Sequence, residues 1–566
     1  VKRHFGLGRP QLRLTLLLST CLGSFGWGTA AQAAEQVVFA YGPLSRAVPV
    51  RAIAAYAREG RITPELEPYA DLLASEQLAQ IRVALTSAAP SNLAGVVAVS
   101  QFLYTPEGEA FLEQVGSVVR TSPQLPGALA IRGALIRSAA DPSGINLVNF
   151  LRYYPTPTVY IDLRQGVQFA RRIQRLVRRT QQVAAQAGSG MGDGVGIDFS
   201  QLPDLRETGA FTVEEYRLDL RNPQGDRPLP TDLYLPRVVP LVPRSPTAVP
   251  VVRPNPIVVI SHGLGEDRAS FRYIALQLAS YGYVVAVPEH SGSSDQRLRN
   301  VLAGLENAVV DPQEFVDRPR DISFLLDELT RLNQTDPRLR GRLDPEHVGV
   351  FGHSFGGYTA LALAGADLDL AGLRQSCANQ PTLLANPSIV LQCRAVELPG
   401  QRLSFRDPRV RAAVAVSPLT SLIFGASGLR AVKAPVTIVT GTNDAATPAL
   451  AEHLRPFAFL PQPKYLVTLT GATHFSFNDP GSSGVFTLPA AVVGPAPNLA
   501  RQYLQALVVA FFNTTVSQEL DFGPYLSPEY TRFLSQQALP VQLSQQAPAE
   551  VSSLHKPSPS SVGLNQ

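Results

Sequence analysis

Val348-Gly349-Val350-Phe351-Gly352-His353-Ser354-Phe355-Gly356-Gly357-Tyr358 reads as a buried strand, a tight turn with a serine at its apex, and the first turn of a helix. A serine in that setting sits on a strained turn with its hydroxyl beyond the carboxyl edge of a sheet, and the flanking glycines let strand and helix pass closely. The bare Gly-x-Ser-x-Gly pattern proves little. Its context carries the reading: an apolar strand before it and the small-residue helix 358–364 after it.

Working outward, strand and helix signals alternate. Strands are predicted at 211–220 and 231–235, joined by the turn Asn222-Pro223-Gln224-Gly225, and then at 257–260, 284–287, 348–351, 410–416, 436–440 and 465–469. Helices are predicted at 271–280, 320–332 and 358–364, and an apolar helix at 499–512 closes the core. This order predicts an α/β fold, a mainly parallel sheet with helices on both faces, for residues 209–515.

A hydroxyl becomes a useful nucleophile only when a base takes its proton and a third group orients that base. His474, after the strand 465–469, is the candidate base, and Asp444, after 436–440, is the candidate acid. Both follow carboxyl ends of strands, where such a sheet places its site, and the order Ser354, Asp444, His474 is the one this fold uses. The oxyanion hole is expected from two backbone amides, Leu264 in Ser261-His262-Gly263-Leu264-Gly265 and Phe355 next to the nucleophile. His290, in Glu289-His290-Ser291, is the rival base. Asp367, Asp369 and Asp407 are rival acids, although none follows a strand with a glycine turn. His353 and His262 read as packing neighbours of the turn and of the oxyanion loop.

Residues 257–265, 278–290 and 352–357 resemble platelet-activating factor acetylhydrolases of the plasma type, and residues 211–512 resemble the α/β-hydrolase superfamily throughout. The resemblance implies metal-free hydrolysis of short or oxidised acyl esters of phospholipids by a serine triad, with no cofactor. The whole layout is similar to secreted bacterial hydrolases whose N-terminal domain has no known role. One departure stands out. The plasma-type enzymes carry their acid where this chain has Ser417; Asp444 lies one strand later, as in dienelactone hydrolases and cutinase-like polyesterases.

The rest of the chain supplies context. The 566 residues allow two or more domains, a charged content of 17% argues against a disordered chain, and a net charge of +4 without a basic aromatic block gives no reason to expect nucleic acid. Residues 1–33 read as a signal peptide ending at Ala31-Gln32-Ala33, with a lipoprotein box at Cys21 as the rival reading; the mature chain is expected to be exported, periplasmic or extracellular. In an oxidising compartment Cys377 and Cys393 form a disulfide candidate, against the alternative of two buried thiols. Residues 35–185 are expected to be a mostly helical N-terminal domain, with helix starts at Thr63-Pro64-Glu65 and Thr105-Pro106-Glu107. A glycine-rich linker follows within 186–208.

Helix 168–186 is basic and amphipathic, which fits either a domain-packing helix or a peripheral contact with an anionic membrane. Residues 367–407 are expected to form a cap-like insertion, and the apolar loop 485–489 to line an acyl pocket, touch lipid or belong to the core. The segment 516–566 reads as an extension, disordered from about 545. The expectation is a secreted serine carboxylester hydrolase for short acyl or lipid esters. Dienelactone hydrolase, polyesterase or serine peptidase chemistry on the same triad stays open, as does a non-catalytic envelope scaffold.

Overall fold

The structure is a computed structural model that describes residues 33–71, 73–87, 93–187, 196–237, 254–378, 385–480 and 488–548. Residues 1–32 of the expected signal peptide, the glycine run 188–195, the connector 238–253, most of the loop 485–489 and the tail beyond 548 lie outside the described residues.

The described residues divide into two units, the first within Val1–Val96 and Val115–Arg164, the second Val97–Gln114 with Gln165–Gln566. The first unit is not built from helices alone. β1 (Gln36–Tyr41), β2 (Leu44–Pro49), β3 (Val119–Arg120) and β4 (Thr158–Asp162) form a sheet in the order β2-β1-β4-β3. Val37, Val48 and Val159 are buried in it, beneath helices such as Val50–Glu59 and Leu147–Tyr153. Sequence pattern missed this sheet because its strands are short and partly exposed, and because β1 pairs in parallel with β4 far along the chain. Of the two predicted helix starts, Thr105 caps through its hydroxyl, 3.1 Å from the Gly108 amide, and the helix Pro106–Val118 follows. At Thr63 only a turn forms before the short helix Glu67–Ala70.

The second unit holds the predicted α/β sheet. Its strands are β5 (Thr212–Asn222), β6 (Arg227–Arg237), β7 (Asn255–Ser261), β8 (Val284–Pro288), β9 (Leu343–His353), β12 (Val410–Val416), β13 (Val436–Gly441), β14 (Lys464–Leu469) and β15 (Val541–Ser544), with the two-residue pair β10 (Leu368–Asp369) and β11 (Arg402–Leu403) between β9 and β12. The sheet order is β15-β14-β13-β12-β9-β7-β8-β6-β5. β8, β7, β9, β12, β13 and β14 run parallel, which leaves β9 in the middle with its carboxyl end beside those of β7 and β12.

Side chains alternate across this sheet as the pleat requires. Ile257 and Val259 join a core with Phe315, Leu325, Tyr358 and Leu361, whereas Val258 and Ile260 join one with Ile274, Leu278, Phe511 and Phe512. Helices Glu314–Thr335 and Phe355–Leu363 therefore cover one face, and Arg272–Ser280 and Pro497–Thr515 the other.

The helix Glu314–Thr335 starts earlier than sequence pattern suggests, because Pro319 lies inside it. A proline there leaves the carbonyl four residues back without its helical donor. Tyr358 supplies one instead: its hydroxyl donates to the Phe315 carbonyl at 2.6 Å, and both rings are buried in edge contact 5.0 Å apart.

Three further segments refine the sequence reading. The C-terminal extension adds the helix Pro528–Leu534 and then β15, antiparallel to β14. The insertion 367–407 holds the helices Leu370–Ala378 and Ser388–Arg394 and the Cys377–Cys393 disulfide. It is pinned by buried Glu452, whose carboxylate accepts from the Thr420 and Ser421 amides at 2.8 Å and from Gln392 at 3.2 Å. The basic helix runs over Leu163–Ala187 and groups, from Gln165 on, with the second unit rather than the first. Val183 is fully buried in the core of the second unit and Leu176 packs against it, while Arg172, Arg175, Arg178 and Arg179 line a cleft of about 1400 Å³. Among the described residues no helix is long and apolar enough to cross a membrane.

Candidate active site

Ser354 sits between β9 and the helix Phe355–Leu363 with φ 54° and ψ −115°, a left-handed conformation that costs a non-glycine residue energy and is held by its surroundings. Its amide donates to the Val416 carbonyl of β12 at 2.8 Å. Glycine is required on both sides. A Cβ on Gly352 would lie 2.0 Å from the Gly356 carbonyl oxygen, and one on Gly356 would lie 1.9 Å from the Ser261 carbonyl oxygen. The tight turn anticipated from the sequence is therefore present, with the helix running directly beneath the carboxyl end of β7.

Asp444 and His474 come from the loops after β13 and β14. These loops are stapled by Asn443 N–H to Ala472 C=O at 2.9 Å and Gly471 N–H to the Thr442 hydroxyl at 2.9 Å. His474 Nδ1 lies 2.8 Å from Asp444 Oδ2, so a ring proton on Nδ1 donates to the carboxylate. Asp444 Oδ1 accepts from the Ala446 and Thr447 amides at 3.0 and 2.7 Å, and the Thr447 hydroxyl lies 2.9 Å from Oδ2. Burial alone would raise the Asp444 pKa, but the His474 imidazole and these donors hold it well below the usual carboxylate range. Burial pulls His474 the other way, towards neutrality, and the Asp444 carboxylate outweighs it, so the imidazole is more basic than usual.

The segment proposed for the oxyanion hole is shaped from behind by Arg318, a fully buried side chain. Its guanidinium donates to the carbonyls of His262 at 2.7 Å and Gly263 at 3.3 Å, and its Nε donates to the Ser293 hydroxyl at 2.9 Å. His262 Nδ1 also lies 2.8 Å from the Gly263 oxygen. With that carbonyl tied inward, the trans peptide aims the Leu264 N–H the opposite way. The Phe355 N–H heads its helix, where the first amides have no intrahelical acceptor. Burial lowers the Arg318 pKa to about 10, against the pull of Glu314, and its guanidinium stacks 4.4 Å from the Phe355 ring centre.

The rivals are accounted for. His290 bonds the Ser261 hydroxyl at 2.8 Å, its backbone amide bonds His262, and burial drives its pKa well down. Asp407 is engaged by Arg409 and Ser323, Asp367 by Arg402, and Asp369 accepts from the Gly372 amide. Ser417, where the plasma-type pattern puts its acid, is buried at φ 46° with its carbonyl bonded by Thr447 at 3.1 Å. Among the described residues no group of His, Cys, Asp and Glu is arranged to hold a metal ion. Sequence reasoning missed Arg318, Glu266 and His453. His453 backs the acid loop through Thr440 at 2.7 Å and the Pro418 carbonyl at 3.2 Å.

A strained serine at the carboxyl end of the central strand, with an acid and a histidine on loops after the second and third strands beyond it in the same sheet, is an α/β-hydrolase layout. A family model described as alpha/beta hydrolase of unknown function matches residues 33–162, and one described as platelet-activating factor acetylhydrolase, isoform II, matches residues 247–301. The chain has the α/β-hydrolase fold and resembles the α/β-hydrolase superfamily. Within it the chain resembles platelet-activating factor acetylhydrolases: those of Canis lupus familiaris (28% identical over 143 residues), Bos taurus (26% over 143) and Cavia porcellus (29% over 140). Each match covers 20% of this chain and 32% of its relative, about a third of the relative's length. The isoform II match holds β7 and β8 with the loop of Leu264; the other match falls mostly on the first unit and takes in the segment 97–114 of the second.

Proposed function

We propose that this α/β hydrolase is an exported serine carboxylester hydrolase acting on short acyl esters, lipid esters among them, through an acyl-enzyme. The observation that carries the reading is the 2.8 Å His474–Asp444 bond on loops at the same sheet edge as the strained Ser354. In this reading Ser354 Oγ attacks the ester carbonyl and passes its proton to His474 Nε2, the ring nitrogen left with a lone pair when Nδ1–H is given to Asp444. The Leu264 and Phe355 amides receive the oxyanion, and the imidazolium protonates the departing alcohol. Water then repeats the sequence to free the acid.

A disulfide joining Cys377 and Cys393 supports export, as does a leader-like start. N-terminal sequencing of the secreted chain is expected to begin at Ala34; a retained leader counts against export. A second reading, lactone or polyester hydrolysis, has one observation in its favour: the acid follows β13 rather than standing at Ser417.

The test is hydrolysis of 4-nitrophenyl esters of increasing acyl length. Turnover is expected to fall beyond short chains and to drop at least about 1000-fold in Ser354→Ala. Turnover unchanged in S354A, or absent on every ester, removes the assignment.

A further inference from the structure

Glu266 lies two residues beyond Leu264, in a loop where glutamate is ordinarily solvated, yet its carboxylate is nearly buried and three donors converge on it. Gly263 N–H donates to Oε2 at 2.6 Å, His353 Nδ1 donates to Oε1 at 2.8 Å, and Asn478 Nδ2 donates to Oε1 at 2.7 Å. Those donors belong to the oxyanion loop, to the residue preceding Ser354, and to the loop that carries His474.

The partner histidine extends the link. Its other ring nitrogen, Nε2, lies 3.1 Å from the backbone oxygen of His474, and its ring packs 4.7 Å from the His474 ring, centre to centre. Both ring nitrogens of His353 thus face acceptors, the Glu266 carboxylate on one side and the His474 carbonyl on the other. The segments that must keep a fixed relation for acyl transfer all end on one side chain.

We propose that Glu266, acting through His353 and Asn478, is the positioning residue that holds the oxyanion amides, the nucleophile and the base in register. This rests on the serine-hydrolase reading above. Glu266 touches no reacting atom; its effect is on where Leu264, Ser354 and His474 stand, and on the charge His474 feels. The charged and titratable groups facing this cluster are Asp444 and His453 on the side of His474, and His353, His262 and Arg318 on the side of Glu266. Asp444 and Glu266 are its anions, and both favour the protonated His474. Replacing Glu266 by glutamine removes one of them and leaves a single acceptor oxygen for three donors.

The experiment compares the full chain with Glu266→Gln, Glu266→Asp, His353→Gln and the double variant E266Q/H353Q, on an ester the wild type turns over. It adds fluorophosphonate labelling of Ser354 and thermal melts. E266Q is expected to lose kcat on the order of 10- to 100-fold with KM within about threefold. The acid limb of its kcat/KM profile moves to lower pH, which a general loss of stability would not produce. E266D keeps the charge but shortens the reach, so its acid limb stays while kcat falls. The double variant is expected to be no slower than the slower single, because both act through one link.

Wild-type kcat and an unmoved acid limb in E266Q overturn the proposal, as do additive losses in the double variant. Wild-type kcat in E266D does so where E266Q is not recovered folded. A wild type that takes no fluorophosphonate at Ser354 and turns over no ester removes this proposal together with the reading beneath it; an active wild type with an indifferent E266Q removes this one alone.

Discussion

Asp444 and Glu266 are both buried carboxylates kept ionised by their partners, and their titration sets how the molecule meets acid. For Glu266 burial pushes the pKa up, but the charge on His353 and the bonds from His353, Asn478 and Gly263 bring it down to about 2 from 4.5. A folded pKa below the unfolded one means stability that is full above about pH 4.5 and lost as pH falls towards 2; Asp444 has the same sign. Melting temperature is therefore expected to fall steeply across that window, and less steeply in E266Q. His474 is shifted upward, so the acid limb of kcat/KM is expected above its ordinary value of 6.5 and to move down in Asp444→Asn, with kcat reduced. An acid limb below 6.5 in the wild type contradicts the assignment of the base. The placement of Ser354, Asp444 and His474 after β9, β13 and β14 was legible in the sequence because each follows an apolar run and a turn. Glu266 was not, because nothing in Gly265-Glu266-Asp267 reports that three donors meet there in space.

The elements that cradle the site are tied by bonds that linear pattern does not encode. Sequence pattern put the helix at 320–332; the chain runs helical from Glu314, through Pro319, with Tyr358 serving the Phe315 carbonyl that Pro319 cannot. Tyr358→Phe removes that donor and leaves a buried carbonyl unmet, a cost of about 1–3 kcal/mol. It is expected to lower the denaturation midpoint without altering the slope, and a midpoint equal to wild type would show the bond carries nothing. Strand positions were predicted well for the parallel core, whose apolar runs are continuous because both faces are buried. The short, half-exposed strands of the first unit give no such run.

At the scale of the molecule, the boundary expected near residue 185 follows composition, whereas packing puts the segment 97–114 and the basic helix with the hydrolase. Composition shows where chain is flexible and not which surface a helix buries. A fragment beginning at Ile197 lacks Val183 and Leu176, so it is expected to expose part of the hydrolase core, to melt lower than the full chain and to aggregate sooner. Equal melting temperature and solubility would show that the helix contributes no core.

Glu107 pairs with Arg394 at 3.5 Å within the hydrolase unit, though the ribosome makes the two far apart in time. At roughly 5–20 residues per second the earlier partner waits some tens of seconds for the later one. The edge of β14, which leads to His474, closes later in synthesis still, when β15 has been made. Such a chain reaches its working form only once β15 has been made, and under the export reading proposed above that delay keeps it unfolded enough to be threaded.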